Sequence, residues 1–478
     1  MLYYNQSKAF RTIVLLALCL SSITAINAQE SDPSPWSRFG LGINLPNYSS
    51  PQQFMGGVIS PLMEKNVINP DQPASAASCK TTLFQSSIYN SSNFMSEGDS
   101  STTSITGNLG ALSMVIKKPT GKTALMFGII PNSSKGYNLY REIEDENTGN
   151  YIERYQGAGG TARGYLGMAR AFKGKKWIKV GEKDSIQIHN NSINIGAQVN
   201  YLFGELTQQE ILDFEDVSFY DYKESTTMRH RAFGGLFGLQ AHQLLGNKYD
   251  EDKNFLRSTT LFVGGTYATA ANLNTDFEEL TESIISNNGL ESHIDTSFYE
   301  SNVLVGQTPA KWTAGAALAF ESGNGRKVVL AFDMMQQDWS KYNDQDLNSY
   351  LVEGNASWAK ASRMSAGLSF KPASTMSGKS VLTRSIYRAG FAMDKYPLSF
   401  NDGHLSGWRA TGGFSMPLEG SRSNSSVHFG FEFGKRGLVG TDGTLLDNTL
   451  EESILNFQLG VSLSPFFKNL WLTPKLYD

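Results

Sequence analysis

The chain has 478 residues, and its 41 Lys and Arg against 45 Asp and Glu give a formal net charge of −4. This near balance excludes the broad basic surface of a nucleic-acid-binding protein, and two cysteines exclude a disulfide scaffold or a thiolate metal cluster. A mean hydropathy of −0.29 is too polar for a bundle of membrane helices. It is compatible with a membrane β-barrel, whose strands are apolar on one face only.

Residues 1–28 have the order of a secretory signal peptide. Lys8 and Arg11 form a short positive region, residues 13–20 form the apolar centre, and the small residues that follow end at Ala28. The apolar run is well short of the roughly 20 residues that a membrane-spanning helix needs, which disfavours a single-span anchor. We therefore predict export and cleavage after Ala28 or close to it.

Alternation with a period of two is the dominant pattern of the mature chain. Residues 192–203, 364–370, 427–434 and 455–463 alternate apolar side chains with glycine or polar side chains. Because successive side chains of a strand point to opposite faces, each segment predicts a strand with one apolar face. A soluble β-sandwich would alternate as well. The number of strands, the Gly, Asn, Gln and Ser of the polar face, and aromatic residues near strand ends favour a transmembrane barrel with a wet lumen. Those aromatic residues are Tyr201, Phe203, Phe320, Phe370 and Tyr387.

Long polar stretches separate some of the strands, at residues 141–151, 205–229, 248–253 and 273–309. In a barrel we expect extracellular loops or tall strand extensions at these places, and a turn at residues 248–253. Their acidic residues lack the regular spacing of an EF-hand loop, so solvated charge is favoured over a calcium site. We predict no metal and no cofactor.

Residues 35–79 precede the first strand and are irregular. They combine many Gly and Pro with large apolar side chains such as Trp36, Phe39, Phe54 and Met55. A free, solvated tail would not retain so many apolar groups, so we expect a segment folded inside the lumen. A cap packed on the outside of a β-domain is the alternative. The predicted organisation is a signal peptide at residues 1–28, an N-terminal hatch at residues 29–80 and a transmembrane β-barrel at residues 81–478.

Three segments of the hatch carry a family resemblance: Ser34-Pro35-Trp36-Ser37-Arg38-Phe39-Gly40-Leu41-Gly42, Phe54-Met55-Gly56-Gly57 and Asn69-Pro70-Asp71-Gln72-Pro73-Ala74-Ser75. In this order they resemble the opening of FadL-like outer-membrane proteins of Bacteroidetes. Later pieces fit as well, among them residues 155–160, 164–167, 200–204, 387–391 and 412–418. The resemblance covers nearly the whole mature chain, and the order of the motifs is more specific than any one of them.

The resemblance implies an all-β fold, with about 14 antiparallel strands in a transmembrane barrel and the hatch inside its lumen. In such proteins a hydrophobic ligand is captured outside, enters the lumen and leaves sideways through a wall opening beside a kinked strand, while the hatch shifts. Carried over by position, the hatch and its entry into the first strand contain Phe54, Met55, Gly56, Gly57, Asn69 and Pro70. The chain departs from the family at Asp71-Gln72, where small residues are usual, and it lacks a strongly apolar capture loop.

The leading functional prediction is passive, hatch-gated and lateral transport of small hydrophobic compounds, such as fatty acids, across the outer membrane. The aromatic and methionine side chains of the hatch would either line an apolar pocket or pack as filler, and both interpretations stay open. The same broad family includes PorV-like barrels, which act as protein partners in type IX secretion. The alternative is therefore an accessory barrel of an outer-membrane secretion or assembly complex, and a non-specific porin ranks third. Expected partners are outer-membrane lipid and lipopolysaccharide, a hydrophobic small molecule and other outer-membrane proteins, with no nucleic acid.

Enzymatic function is not predicted. Six scattered histidines form no HExxH pair, and no nucleophile elbow, Walker loop or dinucleotide fingerprint is present. His428 is expected to face the lumen beside Glu432, where catalysis would need a Ser or Thr within hydrogen-bond reach. We expect such polar pairs in a lumen to be structural.

Overall fold

The computed structural model describes residues 34–45, 51–118, 120–145, 149–180, 184–216, 218–250, 252, 254–287, 290–342, 347, 351–352, 354–373, 380–400, 403–418, 425–440, 442–446 and 449–464. The predicted signal peptide lies outside the described residues, as does part of the predicted hatch. In the described ranges no helix is long and apolar enough to cross a membrane.

The described chain is almost entirely β-structure. Its strands are β1 (Ile43–Asn44), β2 (Leu83–Glu97), β3 (Ser100–Ile116), β4 (Thr123–Ser134), β5 (Tyr137–Asp145), β6 (Gly149–Val180), β7 (Asp184–Phe214), β8 (Asp221–Tyr249), β9 (Phe255–Ala268), β10 (Ala271–Asn287), β11 (Leu290–Thr308), β12 (Lys311–Ser322), β13 (Lys327–Asp338), β14 (Ala356–Trp358), β15 (Lys360–Lys371), β16 (Ile386–Phe400), β17 (Gly403–Pro417), β18 (Ser426–Val439) and β19 (Glu451–Leu463). The described helical segments are 3₁₀-helices at Pro35–Arg38, Pro51–Met55, Pro73–Ser78 and Ser340–Tyr342, and one α-helical turn, α1, at Val381–Arg384.

Fourteen antiparallel staves form one closed barrel, where a stave is one strand or two strands that continue each other along the wall. The composite staves are β4 with β5, β9 with β10, β11 with β12, and β14 with β15, because both members pair with the same neighbouring stave. Each stave pairs with the next along the chain, and β19 pairs with β2 to close the ring. The prediction of an all-β barrel of about 14 strands is confirmed.

The outer face of the barrel is apolar. In β7, Ile193, Ile195 and Val199 are exposed, whereas Asn194 and Gln198 between them are buried inside. Exposed large apolar side chains recur in this way on the other staves, which is the exterior of a barrel surrounded by lipid. The predicted alternation of faces is therefore confirmed, and the architecture is that of an outer-membrane barrel.

The staves differ in height. β6 and β7 have 32 and 31 residues, whereas β13 and β19 have 12 and 13. Part of the extra length of β6 and β7 extends the hairpin that joins them, beyond the level at which β4 begins. The rest rises at the opposite end in a sheet made of β5, β10, β11 and the neighbouring parts of β6, β7 and β8, which we call the wall. We assign the wall to the cell exterior, because outer-membrane barrels carry their long connections outside and short turns in the periplasm. The polar stretches at 205–229 and 273–309 are thus largely strand extensions.

Two layers fill the lumen. The lower layer consists of residues 51–79, and from here on the name hatch refers to these residues alone. The hatch packs against inward-facing side chains of the staves. The upper layer contains residues 34–45, which we call the N-terminal segment. Together with the lower part of the wall and the connection after β13, this segment forms an apolar cluster that includes Trp36, Leu41, Leu206, Met228, Leu273, Phe277, Trp339, Leu347, Leu351 and Trp358.

Candidate functional site

The barrel has a seam between the neighbouring strands β3 and β4. They pair only through residues 112–116 and 125–129. Above this level β3 keeps its partner β2, but in the described chain no ladder joins β3 to β4 or β5. The apolar side chains of Ile105 and Leu109 are exposed on β3 beside this gap. The seam therefore opens at the level of the lipid hydrocarbon.

Pro131 marks the point at which the two strands part. Proline has no backbone N–H to donate to a ladder, and the register of β4 against β6 shifts between Pro131 and Ser133. Such a shift bends a strand and increases its twist. β4 is therefore a kinked strand whose edge towards β3 is available to another partner.

The N-terminal segment takes the place of β3 along that edge. β1 pairs antiparallel with residues 133–134 of β4. The N–H of Leu45 donates to the carbonyl of Asn132 at 2.9 Å, and the N–H of Ser34 donates to the carbonyl of Gly136 at 2.7 Å. The segment thus covers the seam from inside the lumen. We call residues 43–45, which bond the edge of β4, the latch.

Lys135, at the break between β4 and β5, fixes the N-terminal segment. Its side chain is fully buried, and its ammonium donates to the carbonyl of Arg38 at 3.0 Å and to Oε1 of Gln208 at 2.7 Å. Its backbone N–H donates to the carbonyl of Gly159 at 2.9 Å. Because a buried ammonium is costly without partners, these contacts favour one position of the segment over its release.

Two further contacts of the N-terminal segment cross the lumen. The hydroxyl of Ser34 donates to Oε1 of Glu452 at 2.5 Å, and the N–H of Gly40 donates to the carbonyl of Leu351 at 2.5 Å. Gly40 has a φ of +64° and lies against the ring of Trp358, so no side chain is accommodated there. Residues 34–40, which begin with the Ser-Pro-Trp-Ser-Arg motif, therefore span the upper lumen.

Phe54 and Met55 of the hatch fill sockets made by glycines of the barrel. Phe54 packs on Gly413 and Gly430, and Met55 packs on Gly390, where an added Cβ would overlap hatch atoms. Both side chains are almost completely buried. Neither lines the central cavity, so the geometry favours filler over pocket lining for these two candidates.

Gly56 and Gly57 turn the hatch chain beside these sockets. Their φ angles are +73° and +77°, a region that residues with a side chain rarely adopt. The N–H of Gly56 donates to Oγ1 of Thr411 at 2.8 Å, and its Cα lies close to the carbonyl of Phe391. Backbone of the hatch thus touches backbone of the barrel, which only glycine allows.

Asn69 and Pro70 lie in the second part of the hatch. The Asn69 amide donates to the carbonyl of Ile59 at 3.1 Å, which closes the hatch on itself. The carbonyl of Pro70 accepts from the Gln198 amide at 3.3 Å. The structure therefore places all six candidate hatch residues inside the barrel, in two groups that are connected through Ile59.

The two residues that depart from the family pattern bind the barrel. The carboxylate of Asp71 pairs with Arg163 at 2.5 Å. The Gln72 amide donates to the carbonyls of Ser60 and Gly265, both at 3.2 Å. Polar side chains at these positions therefore hold the hatch more firmly than small residues would.

Polar side chains of the barrel also bind the middle of the hatch. Oδ2 of Asp333 accepts from the N–H groups of Ile59 at 2.7 Å and Ser60 at 3.0 Å. The Gln240 amide donates to the carbonyls of Ser60 and Leu62. These inward-facing groups of the barrel satisfy hatch backbone that would otherwise be buried without partners.

A cavity of about 320 Å³ remains between the hatch and the upper layer. Ile43 and Leu45 of the N-terminal segment line it on one side, with Ile130 and Pro131 of the kinked strand. The cavity therefore reaches the inner face of the seam. Its volume is at the lower end of the range for small-molecule sites.

The opposite side of the cavity is charged. Asp394 forms ion pairs with Arg363 and, at 3.4 Å, with Arg409, and Arg409 reaches Glu432 at 3.7 Å. Lys311 also lines the cavity, and no described residue lies within ion-pair distance of its ammonium. The cavity is therefore amphipathic: apolar groups line it at the seam, beside the ion pair of Arg163 with Asp71, and charged groups line the side across from it.

His428 does meet the hydrogen-bond requirement that was set for catalysis. Its Nδ1 lies 2.8 Å from Oγ of Ser415, and its Nε2 lies 2.8 Å from Oγ of Ser462. All three side chains are buried, and Ser415 also accepts from Arg388. A serine enclosed in this way has no path to a substrate, so the geometry is that of a structural network. In the described ranges no group of three His, Cys, Asp or Glu side chains could hold a metal ion.

The family resemblance implied a wall opening beside a kinked strand, but it did not locate the seam, and neither the latch nor the charged side of the cavity was expected. Pro131 inside an alternating segment was the available signal for the seam. Arg363, Asp394 and Arg409 were available signals for the cavity, since they are charges at inward positions of alternating strands. Their grouping required the pairing of β15, β16 and β17, which no sequence spacing reveals.

Comparison with known proteins is consistent with this architecture. The BamG family model matches residues 9–472. No curated protein matches the chain in sequence. A Pseudomonas aeruginosa FadL homologue aligns with a TM-score of 0.52 over 89% of this chain and 99% of that chain, at 11% identity. The Ralstonia pickettii toluene transporter TbuX aligns with a TM-score of 0.50 over 88% and 99%, at 13% identity. At such identities the likeness shows a shared fold. The chain belongs to the BamG family, and it has the barrel fold of FadL-type outer-membrane proteins.

Proposed function

We propose that the protein mediates passive, lateral transport of small hydrophobic or amphipathic compounds, such as fatty acids, through the outer membrane. The observation that carries this proposal is the seam between β3 and β4, which adjoins the luminal cavity and is covered by the N-terminal segment. A compound in the cavity would reach lipid directly once β1 left the edge of β4. It would not need to cross a water-filled pore with its apolar surface wet.

The two sides of the cavity suit an amphipathic compound. Ile43, Leu45 and Ile130 would contact a hydrocarbon chain, where burial contributes about 25 cal/mol per Å² of apolar surface. Lys311 and Arg409 lie on the charged side, where a carboxylate would be attracted to them. A fatty acid combines both features, and it is therefore the compound that we would test first.

A disulfide that locks the latch tests the proposal. Ile43 and Ser134 face each other in an antiparallel pair, whose Cα separation lies in the range that a disulfide spans. We expect that an Ile43→Cys/Ser134→Cys double variant, expressed in cells that lack the gene, accumulates radiolabelled oleate only after reduction. Cys79 will not interfere, because burial raises the pKa of its thiol to about 11.

The matched control is a Thr207→Cys/Thr227→Cys double variant, which joins directly paired residues of β7 and β8 away from the seam. Its disulfide should leave accumulation of oleate unchanged. Equal accumulation by the oxidised and reduced forms of the latch variant would show that β1 does not gate passage. Accumulation no higher than in cells without the gene, for oleate and for toluene alike, would count against transport itself.

A second function, an accessory subunit of an outer-membrane secretion or assembly complex, is favoured by the wall. This sheet rises on one side of the barrel beyond the level at which β13 and β19 end. Exposed ion pairs, such as that of Arg231 with Asp276, connect its strands. A tall sheet of this kind provides a surface for another protein. Purification of the full chain in mild detergent, followed by mass spectrometry, distinguishes the two functions. A stoichiometric protein partner supports the accessory role, and a lone barrel with bound lipid supports transport.

A further inference from the structure

β11 is the last strand of the wall, and one of its edges is free. It pairs with β10 from end to end. Its stave then continues as β12, which pairs with β13, but β13 ends at Asp338 below the level of β11. Within the described residues, nothing pairs with the second edge of β11. A free edge of this kind presents a row of backbone N–H and C=O groups to any strand that can align with it.

This edge lies outside the membrane. On the same stave, Trp312 of β12 is exposed on the outer face, as expected for an aromatic residue at the membrane surface. Val305 lies some seven residues further along the stave, about 23 Å of extended chain. At this level Val303 is in register with Asp276, which forms an exposed ion pair with Arg231. Ionised groups at that position indicate water, not lipid.

Despite its position in water, the edge carries large apolar side chains. Tyr299, Val303 and Val305 are 62%, 68% and 53% exposed, and they face the same side of the strand. Natural edge strands are protected by Lys, by Pro or by short length. β11 has 19 residues and contains no Lys, Arg or Pro. Its irregular register is confined to the tip, so the strand is regular from Tyr299 to its end.

The charge of this part of the wall has one sign. β10 contributes Asp276, Glu278, Glu279 and Glu282, β11 contributes Glu291, Asp295 and Glu300, and neither strand contains Lys or Arg. Arg229, Arg231 and Lys223 of β8 neutralise some of these groups. On the inner face, Glu279 and Glu300 remain close to Glu224, and together with burial they raise the pKa of Glu279. The free edge thus combines apolar groups on one face with Glu300 on the other, close to Glu279 of β10 and Glu224 of β8.

We propose that β11 binds an extended segment of a partner protein by strand addition, in which Lys or Arg alternates with aliphatic or aromatic residues. In such a segment the apolar side chains would lie across from Tyr299, Val303 and Val305. The basic side chains would lie across from Glu300, because side chains of paired strands meet on the same face. Main-chain hydrogen bonds would supply affinity, and the alternating side chains would supply specificity.

Two other occupants fit less well. A second copy of this chain, paired through β11, would bring carboxylates of one copy against those of the other, which is unfavourable. Lipid is excluded by the height of the strand above Trp312. The proposal goes beyond transport, and it would supply the accessory role with its docking element.

The proposal is tested with the full chain in nanodiscs and a synthetic peptide of about ten residues in which Lys alternates with Val. We expect this peptide to bind and to slow hydrogen exchange of β11 amides, whereas a peptide with Glu in place of Lys should not bind. Two cross-strand pairs are altered in the Glu300→Lys/Val303→Lys double variant, so its affinity for the Lys peptide should fall by about tenfold. The matched control is Tyr140→Lys on β5, an exposed tyrosine on the opposite edge of the wall.

Equal binding by the wild-type and double-variant proteins, loss of binding in the Tyr140→Lys control, or protection of strands other than β11 would overturn the proposal. The double variant should still accumulate oleate like the wild type, so its failure to bind the peptide is distinguishable from a failure of transport.

The natural partner is identified by photo-crosslinking in cells, with p-benzoylphenylalanine at position 303 and, as the control, at position 140. We expect an adduct at position 303 whose partner peptide is a basic, alternating segment of another protein. An adduct with a second copy of this chain, with lipopolysaccharide or with an acidic segment, or no adduct at all, would contradict the proposal.

Discussion

At the scale of single residues, the glycines of the barrel decide how the hatch is seated. A Cβ at position 390 would overlap the backbone N of Gly56 and the carbonyl carbon of Met55. Neither atom can rotate away, because both belong to the main chain. The complementarity between the hatch and the barrel therefore depends on absent side chains as much as on Phe54 and Met55.

We expect Gly390→Ala to destabilise the folded protein by about 1–3 kcal/mol, since it overpacks a filled interior. Thermal unfolding in detergent measures this change, and limited proteolysis should show faster cleavage within residues 51–79. Gly460→Ala is the matched control, because the nearest atom to its added Cβ is 3.5 Å away. A melting temperature lowered equally by both substitutions would mean that the socket has no special role.

The sequence predicted which residues face inward but not what they contact. Gly196, Asn194 and Gln198 lie on the polar face of an alternating segment, a pattern that predicts the surface of a wet lumen. In the structure Gly196 lies against the backbone of Ala74, Asn194 donates to Ser78, and Gln198 donates to Pro70. Period-two alternation reports only the side of a strand. Whether that side meets water or a hatch depends on chain that is distant in sequence, so no local pattern contained the answer.

At the scale of elements, the wall concentrates carboxylates that its own fold brings together. Burial raises the pKa of Glu279, and the neighbouring charges of Glu224 and Glu300 raise it further. Burial, Glu224 and Glu153 raise the pKa of Glu210 in the same way. The folded wall therefore retains protons at pH values at which the unfolded chain, with carboxyl pKa values of about 4.3, has lost them.

From this shift we expect the wall to become less stable as pH rises through the interval between the ordinary and the raised pKa values. The sign follows because the folded state binds more protons than the unfolded state in that interval. Hydrogen exchange of β10 and β8 amides, corrected for intrinsic rates, should show more protection at pH 5 than at pH 8.

Glu279→Gln should increase protection at pH 8 and weaken the dependence on pH. Glu205→Gln, which removes an exposed ion pair with Arg229, should leave that dependence in place. Protection that rises with pH in the wild-type protein would show that these carboxylates are better stabilised as anions than their surroundings indicate.

At the scale of the whole molecule, the sequence predicted a closed barrel of about 14 strands and a leader inside it, and the fold confirms the barrel. Periodicity, composition and the motif order were sufficient for that. The resemblance implied a wall opening beside a kinked strand, but its position was not predicted, because the seam arises where Pro131 ends one pairing and a strand nearly ninety residues earlier in the chain takes its place. A pairing between segments so far apart in sequence, here β1 and β4, leaves a single proline as its only signal in the local sequence.

The two luminal layers lead to a prediction for the molecule as a whole. Closure of the barrel depends on β2 and β19, which pair with each other without help from residues 34–79. The inner face of the staves is polar, so water can replace residues 34–79 there if they are deleted.

We expect the full chain to give no ion conductance in planar bilayers, whereas deletion of residues 34–79 should produce discrete conductance steps. A barrel of this strand number is wide enough to hold water once it is emptied. Retention of the compact, heat-modifiable band on gels would show that the shortened protein still forms a barrel. Steady current through the full chain would show that the two layers do not obstruct the lumen and would support the porin hypothesis. A folded but silent deletion variant would show that some other part of the chain closes the barrel.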